Sequence, residues 1–221
     1  MVIPTLERPE VPDTRHVILW RFPERVAILS SAPVGGGLSL VDWICNFGVT
    51  SVYPDPDVDH HAHQVANDLG LDGIGATFFT AADVRLARHA TVEGVNVNAT
   101  VGVTRPTWAA DADDAWAPWS PGTINVVVQV PVPLTPAAAV NAAMTATEAK
   151  VQALVEAGVP GTGTATDAVA ICWPTGPDPA PYGGPRSPWG ARLARAVHDA
   201  VADGLSEPRP EGATGPRGEP A

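Results

Sequence analysis

The sequence predicts one layered domain of the α/β or α+β class, in which helices flank a mixed β-sheet. Three observations support this prediction. The chain has 221 residues, of which 45% are hydrophobic, enough to bury one core. Short runs of β-branched and aliphatic residues alternate along the chain with longer helical patterns. Its 24 prolines and 21 glycines predict many loops between these elements.

The two ends of the chain differ in composition from the middle. Residues 1–15 are rich in proline and charge and predict an extended arm. Residues 205–221 contain almost nothing to bury and predict a disordered tail. The folded domain is therefore expected over residues 16–204.

Strands are predicted wherever short apolar runs lie between turn residues. Residues 16–20 and 25–30 are separated by Arg-Phe-Pro-Glu and are expected to form a hairpin-like pair. Residues 92–103 alternate apolar and polar side chains, as a half-buried strand does. Further strands are expected at residues 49–53, 123–130 and 166–173.

Helices are predicted from residues that favour helix ends. The segment 80–90 has Thr80 as a candidate N-cap and Asp83 three residues on, a variant of the capping box. Two longer helices follow the pattern of a hydroxyl cap, a proline and a distal glycine. These residues are Thr135, Pro136 and Gly158 in one helix, and Ser187, Pro188 and Gly204 in the other.

The helix that begins at Thr135 contains the unusual polar segment Thr-Ala-Thr-Glu-Ala-Lys. At 100° per residue, Thr147 lies among the larger apolar side chains and is predicted to be buried, whereas Thr145 faces away from them. Glu148 and Lys150 lie on the two shoulders of this face, which predicts either a site at its edge or a solvated boundary with a salt bridge. The apolar face comprises Val140, Met144, Val151, Leu154 and Val155.

Charge and composition argue against several functions. The net charge is −11 and Lys and Arg do not cluster, which argues against a surface for nucleic acid or anionic membrane. The sequence has no apolar run of about 18 residues and no leader pattern. Cys45 and Cys172 do not make a disulfide framework or a metal motif. A cytoplasmic protein is expected.

Two glycine-rich segments are candidates for ligand binding. Residues 30–40 follow a strand with Ser-Ser and three glycines, but match neither a P-loop nor a nucleophile elbow. They predict either a backbone that approaches a ligand closely or a strand-to-helix turn. Residues 158–171 place three threonines beside Asp167, and this carboxylate could converge with Glu148 to activate water. The alternative is an ordinary loop with Asx and Ser/Thr turns.

Two other segments are enriched in particular side chains, one in aspartate and histidine and the other in tryptophan. Residues 55–63 contain three aspartates and three histidines, which favour the start of a surface helix over a metal site because no His-Glu-x-x-His pattern is present. The loop at 104–121 carries Trp108, Trp116 and Trp119. These rings would either cover a broad ligand or pin the loop onto the domain.

Several blocks in their order resemble the adenosylcobinamide amidohydrolase family. The resemblance covers residues 26–204, and its most specific parts are Gly-Thr-Ile-Asn, Thr-Ala-Thr-Glu-Ala-Lys and Thr-x-Thr-Asp-Ala. The matching blocks lie at residues 29–37, 77–84, 121–130, 141–159, 163–171 and 182–201.

The resemblance implies hydrolysis of the amide that joins the corrin propionyl side chain to aminopropanol, which yields adenosylcobyric acid for corrinoid salvage. The expected catalytic residues are Glu148 as general base on water, with Lys150 or Asp167 assisting the developing charge or the departing amine. Gly35–Gly37 and Asn125 would donate to the oxyanion or to substrate amides. The expected substrate-binding residues are Ser30, Ser31, Gly35, Gly36, Gly37, Asn46, Thr80, Thr123, Asn125, Thr147, Thr164 and Thr166.

The sequence also allows other mechanisms and functions. An acyl-enzyme on Ser30 or Thr164 is a competing route, although no histidine is obviously placed to activate either. No cofactor or metal ligand is predicted, and a metal-bound water, a different amidohydrolase or a non-catalytic corrinoid-binding protein are the alternatives. The expected partner is a corrinoid, and a homo-oligomer is left open.

The sequence departs from the family pattern in two places. Thr104, Arg105 and Pro106 replace a segment that usually contains serine and asparagine, and residues 182–190 lack two usual hydroxyls at Pro185 and around Ser187. If those hydroxyls contact substrate, the resemblance predicts an altered corrinoid preference or reduced activity.

Overall fold

The computed structural model describes residues 1–50, 57–111 and 122–206. These residues form eight strands, three α-helices and one 3₁₀ turn at Val84–Leu86. The strands are β1 (Thr5–Glu7), β2 (Thr14–Ser30), β3 (Gly37–Val49), β4 (Gly75–Thr80), β5 (Arg88–Val92), β6 (Val95–Val101), β7 (Ile124–Gln129) and β8 (Ala168–Pro174). The helices are α1 (Val58–Asp68), α2 (Pro136–Glu156) and α3 (Pro188–Leu205).

All eight strands belong to one mixed sheet. Its order is β4-β3-β2-β8-β7-β6-β5, and β1 pairs with the first half of β2. The pairs β3/β4 and β7/β8 are parallel, and the other pairs are antiparallel. The predicted class, a layered domain with a mixed sheet and flanking helices, is therefore confirmed.

The sheet folds back on itself, so that strands distant in its order lie against each other. Asn125 in β7 donates from Nδ2 to Asn46 Oδ1 in β3 and to the carbonyl oxygen of Phe79 in β4, each at 3.0 Å. Within the long β2/β3 pair, the register shifts between Arg21 and Val26. A bulge of this kind bends a strand and increases its twist.

Three apolar cores fill the spaces between the resulting layers. The first lies between α2, α3 and the β5–β8 part of the sheet. The second lies between the two parts of the folded sheet and contains Trp20, Ile44, Phe78 and Val127. The third lies under α1, where Val65 packs near Phe47. Helices thus cover both outer faces, and the β2–β8 junction lies beside α2.

The predicted helix starts are confirmed. Thr135 Oγ1 accepts a hydrogen bond from the Ala138 amide at 3.1 Å, and Ser187 Oγ accepts one from the Gly190 amide at 3.1 Å. The expected end of α3 at Gly204 is off by one residue, because the helix continues to Leu205 and Ser206 caps it. Gly204 instead permits close packing, since a Cβ there would lie 2.6 Å from Val101 Cγ2.

The predicted hairpin between residues 16–20 and 25–30 is wrong. These residues form the single strand β2, because β3 pairs with both halves and the intervening Phe-Pro-Glu lies in the bulge. β3 itself was not predicted, and the glycine-rich segment before it is a strand-to-strand turn. Of the strand expected at 49–53, Val49 ends β3 and residues 51–53 lie outside the described part of the chain.

The helix predicted at 80–90 is also wrong. Asp83 accepts from the Arg85 amide at 3.0 Å and caps only the short 3₁₀ turn. Residues 88–92 then pair with β6 as strand β5, with a turn at residues 93–94. Strand pairing therefore overrides the local capping signal. The expected strands at 92–103, 123–130 and 166–173 are confirmed in β6, β7 and β8.

Helix α2 buries a face largely opposite to the one predicted, although Leu154 of the predicted face is also buried. Val140, Met144 and Val155 are exposed, as is Thr147, whereas Thr145 is buried and donates to the Gly183 carbonyl at 3.0 Å. The buried face is a stripe of small residues, which lets the helix approach the sheet and α3 closely. This stripe comprises Ala138, Ala139, Ala142, Ala146, Ala149 and Ala153.

None of the helices in the described ranges has the length and apolar character that a membrane crossing requires.

Candidate active site

A cleft of about 620 Å³ opens between α2, the end of β2 and the start of β8. Its lining combines apolar side chains with hydroxyl, carboxylate and ammonium groups, as the lining of ligand sites commonly does. Its lining is formed by Leu29, Ser30 and Ser31, by Val140, Ala143, Met144, Thr147, Glu148 and Lys150 of α2, and by Asp167 and Val169.

An ion pair lies in the wall of this cleft. Lys150 Nζ donates to Asp167 Oδ2 at 2.5 Å, and the two side chains are only 8% and 12% exposed. Lys150 follows Ala149 on the buried stripe of α2, which brings its ammonium toward the start of β8. Gly163 is required beside the pair, because a Cβ there would lie 2.3 Å from Asp167 Oδ2 and 2.6 Å from Lys150 Nζ.

Both oxygens of Asp167 are fully engaged. Oδ1 accepts from the Ile124 amide at 2.9 Å and from Thr164 Oγ1 at 2.5 Å. Oδ2 accepts from the Thr164 amide at 3.1 Å, besides Lys150. The carboxylate thus joins β7, the loop before β8 and α2. These bonds suit a residue that holds Lys150 in place rather than one that takes a proton from water.

Glu148 differs from Asp167 in its surroundings. It lines the cleft and is exposed. Within the described parts of the chain, its carboxylate has neither a hydrogen bond nor an ion pair. A carboxylate with free oxygens beside a cleft is available to accept a proton from a bound water. The expected convergence of Glu148 and Asp167 is observed, since both line the same cleft, together with Lys150.

Two serines extend the polar part of the lining. Ser30 Oγ accepts from the Ala32 amide at 2.9 Å, and Ser31 Oγ accepts from the Val169 amide at 3.0 Å. Because both oxygens act as acceptors in these bonds, their hydroxyl hydrogens remain available to a ligand. The described lining of the cleft includes no histidine that could activate either serine as a nucleophile.

Several residues expected to bind substrate lie away from the cleft. Asn46 and Asn125 are buried between the two parts of the sheet, where Asn46 donates to Thr100 Oγ1 at 3.1 Å. Both amide hydrogens of Asn125 are already donated, to Asn46 and Phe79, so they are not free for a substrate. Thr80 is buried and accepts from the Ala82 amide at 3.0 Å.

Of the other expected residues, Ser30, Ser31 and Thr147 line the cleft, whereas Gly35–Gly37, Thr123, Thr164 and Thr166 are not part of its lining. Thr164 supports Asp167. Thr123 and Thr166 bond to each other at 2.6 Å beside that loop. The turn at Gly35–Gly37 follows Ser31, and its glycines have a packing role as well. A Cβ on Gly35, which has φ +69°, would lie 2.1 Å from the Gly75 carbonyl oxygen.

Sequence reasoning missed the apolar half of the lining. Leu29, Val140, Ala143, Met144 and Val169 all line the cleft. The signal for Val140 and Met144 was present in α2, where alanines recur on one face and larger residues on the other. The sequence analysis assigned the larger residues to the buried face, but the alanines occupy that face.

The histidine- and aspartate-rich segment begins helix α1. Asp57 caps this helix by accepting from the His60 amide at 2.9 Å. His61 is buried, with Nε2 at 2.6 Å from Thr14 Oγ1, and His63 is exposed. Within residues 57–63 and the other described ranges, no group of three or more candidate metal ligands occurs. Asp55 lies outside the described residues.

The two departures from the family pattern lie in different surroundings. The Ser187 hydroxyl is committed to the start of α3, since it accepts from the Gly190 amide and donates to the Gly184 carbonyl at 2.8 Å. Just after residues 104–106, Thr107 pairs its backbone with Gly163, beside the Lys150–Asp167 pair. Trp108 is half exposed in this loop, and Trp116 and Trp119 lie outside the described residues.

A second groove, between α2 and α3, contains His198. Its Nε2 lies 2.8 Å from Glu156 Oε2, and this hydrogen bond, assisted by Asp199, raises the pKa of His198 above its ordinary value. A raised pKa in the folded state means that the stabilisation is complete below the unfolded-state pKa, about 6.5, and is lost as pH rises through the folded-state pKa.

We therefore expect His198→Gln to lower the Tm more at pH 5.5 than at pH 8.5. Thermal unfolding of both proteins at the two pH values measures this difference. Glu156→Gln should remove the same pH-dependent part, because it removes the carboxylate that holds the imidazolium. An equal Tm loss at both pH values would contradict the assignment.

Comparisons with known proteins agree on one family. A sequence profile described as adenosylcobinamide amidohydrolase matches residues 3–212. A protein of that name from Methanosarcina mazei is 27% identical over 185 residues, which cover 79% of this chain and 88% of that protein. Another protein of that name from Halobacterium salinarum is 37% identical over 125 residues, which cover 54% and 53% of the two chains.

Two solved structures are similar at low sequence identity. The PH0078 protein from Pyrococcus horikoshii OT3 has a TM-score of 0.47 at 12% identity, over 92% of this chain and 82% of that one. The L-aminopeptidase D-Ala-esterase/amidase from Ochrobactrum anthropi has a TM-score of 0.39 at 13% identity, over 91% and 81%.

Proposed function

The chain belongs to the adenosylcobinamide amidohydrolase family, and we propose that it hydrolyses the amide between the corrin propionyl side chain and aminopropanol. The products are adenosylcobyric acid and aminopropanol, and the acid would re-enter cobamide synthesis. The observation that supports this proposal is a cleft lined both by an unpaired carboxylate, Glu148, and by a fixed cation, Lys150.

In the proposed mechanism, Glu148 acts as the general base. It takes a proton from a water molecule, whose oxygen then bonds to the amide carbon. The carbonyl oxygen becomes negatively charged, and the Lys150 ammonium stabilises that charge. Glu148 next gives its proton to the amide nitrogen and the C–N bond breaks, which leaves a carboxylic acid and a neutral amine. The acid then loses the second proton of the water to the amine, and the products separate as a carboxylate and an ammonium.

Asp167 is proposed to position Lys150 rather than to react. Its four hydrogen bonds hold the carboxylate between β7, α2 and the loop before β8. A cation that is already oriented needs no rearrangement as the oxyanion forms, and this preorganisation is what makes electrostatic stabilisation effective. Ser30 and Ser31 would donate their free hydroxyl hydrogens to substrate amides.

Incubation of the purified protein with adenosylcobinamide, with and without a chelator, tests this proposal. Chromatography follows adenosylcobyric acid, and we expect product in both samples. Product only in the absence of chelator would replace Glu148 as the direct base with a metal-bound water. No product, with the corrinoid co-eluting with the protein, would overturn hydrolysis in favour of a binding protein.

A further inference from the structure

Four large apolar side chains are exposed on β3 and α2. Leu38, Leu40, Val140 and Met144 are between 44% and 56% exposed. Val140 and Met144 lie one turn apart on α2 and line the cleft directly. Large apolar residues grouped at one place on a surface commonly mark a binding site.

The two leucines extend the cleft along the sheet. Leu38 is the antiparallel partner of Leu29, and Leu40 is the partner of Ala27. Directly opposed residues place their side chains on the same face of a sheet. Leu29 lines the cleft and Ala27 belongs to the core under α2 and α3. Leu38 and Leu40 therefore continue the cleft floor beyond the edge of α2.

We infer that Leu29, Leu38, Leu40, Val140 and Met144 form an apolar wall that holds the face of the corrin macrocycle. This inference rests on the proposed function. The corrin of adenosylcobinamide is a broad ring with an adenosyl group on one face and amide side chains around its edge, and the cleft likewise combines an apolar surface with polar groups. Its apolar wall is continuous with Ser30, Ser31, Glu148 and Lys150, so a ring seated there directs one edge amide toward those groups.

Substitutions in the wall should weaken binding and spare the chemical step. Loss of an apolar contact in a binding pocket changes specificity by about 10- to 200-fold. We expect Met144→Gln and Leu38→Thr each to raise KM for adenosylcobinamide about 10-fold with kcat unchanged, as loss of uniform binding does. Glutamine favours helices almost as well as methionine, so α2 should be retained.

Val155→Gln is the matched control. Val155 is 59% exposed on the same helix but does not line the cleft, so its substitution should leave both KM and kcat unchanged. Adenosylcobyric acid keeps the ring and lacks the scissile amide, and its inhibition constant should rise by the same factor as KM in the two wall variants.

The outcomes separate this inference from the proposed function. Hydrolysis with unchanged KM in both wall variants would overturn the wall and leave the proposed function intact. If the parent protein hydrolyses nothing, equilibrium dialysis with adenosylcobinamide still tests the wall. The Kd should then be larger for the two wall variants than for the parent protein and for Val155→Gln. A parent dimer that becomes monomeric on Met144→Gln, by sedimentation velocity, would assign the surface to a second copy instead.

Discussion

Replacing Glu148 by glutamine is expected to reduce kcat for adenosylcobinamide about 10²- to 10⁴-fold, the usual contribution of a general base. KM should remain close to that of the parent protein, because the amide keeps the size of the carboxylate and removes only its basicity. Single-turnover or steady-state production of adenosylcobyric acid measures both constants. The expected loss is large because no second free carboxylate lines the described part of the cleft.

The fold should not change in this variant. Glu148 is exposed and the described structure shows no partner for it, and such surface substitutions usually alter the unfolding free energy by no more than about 0.5 kcal/mol. Glu156→Gln changes a carboxylate two turns further along α2, outside the cleft, and should keep full activity. Turnover of the Glu148→Gln protein within twofold of the parent would exclude Glu148 as the base and favour the serine route.

Replacing Asp167 by asparagine should strongly destabilise the protein. Removing one partner of a buried ion pair leaves an unpaired charge and costs about 3–5 kcal/mol. Here Lys150 would lose its counterion, and an amide nitrogen would face groups that already donate hydrogen bonds. Urea unfolding at neutral pH measures the change. A loss of no more than about 0.5 kcal/mol, typical of a surface residue, would contradict the buried position of this pair.

The double variant Lys150→Met with Asp167→Asn separates stability from catalysis. It contains no unpaired buried charge, so we expect it to recover at least half of the stability that Asp167→Asn loses. Its hydrolytic activity should stay low, because the cation proposed to stabilise the oxyanion is absent. Recovery of both stability and activity would assign the ion pair a structural role alone.

Sequence patterns predicted structure correctly where the interactions involved lie within a few residues of each other. Thr135 and Ser187 cap helices as expected, because a hydroxyl three residues before a free amide, followed by proline, suits a helix start in almost any fold. The strand at 123–130 was found because β7 is buried along its whole length and contains four β-branched residues in six. The polar candidates Glu148, Lys150 and Asp167 were found from the helical wheel and the threonine-rich loop, and the family resemblance favoured a site over a solvated boundary.

Predictions failed where contacts with distant parts of the chain determine the secondary structure. The segment 80–90 carries a capping pattern, yet residues 88–92 pair along their whole length with β6. The two runs in β2 were read as a hairpin because Phe-Pro-Glu resembles a turn, whereas β3 pairs with both. Neither outcome can be read from a window of ten residues.

The sequence by itself determined the mixed fold class, the helix starts, most of the strands and the family. Only the tertiary structure decided which face of α2 is buried, and therefore what lines the cleft. Larger side chains usually mark the buried face of a helix, but here α2 approaches the sheet and α3 closely, and alanines occupy most of the contact. Val140 and Met144 consequently face the cleft, and Lys150, beside the alanine stripe, pairs with Asp167 in the cleft wall.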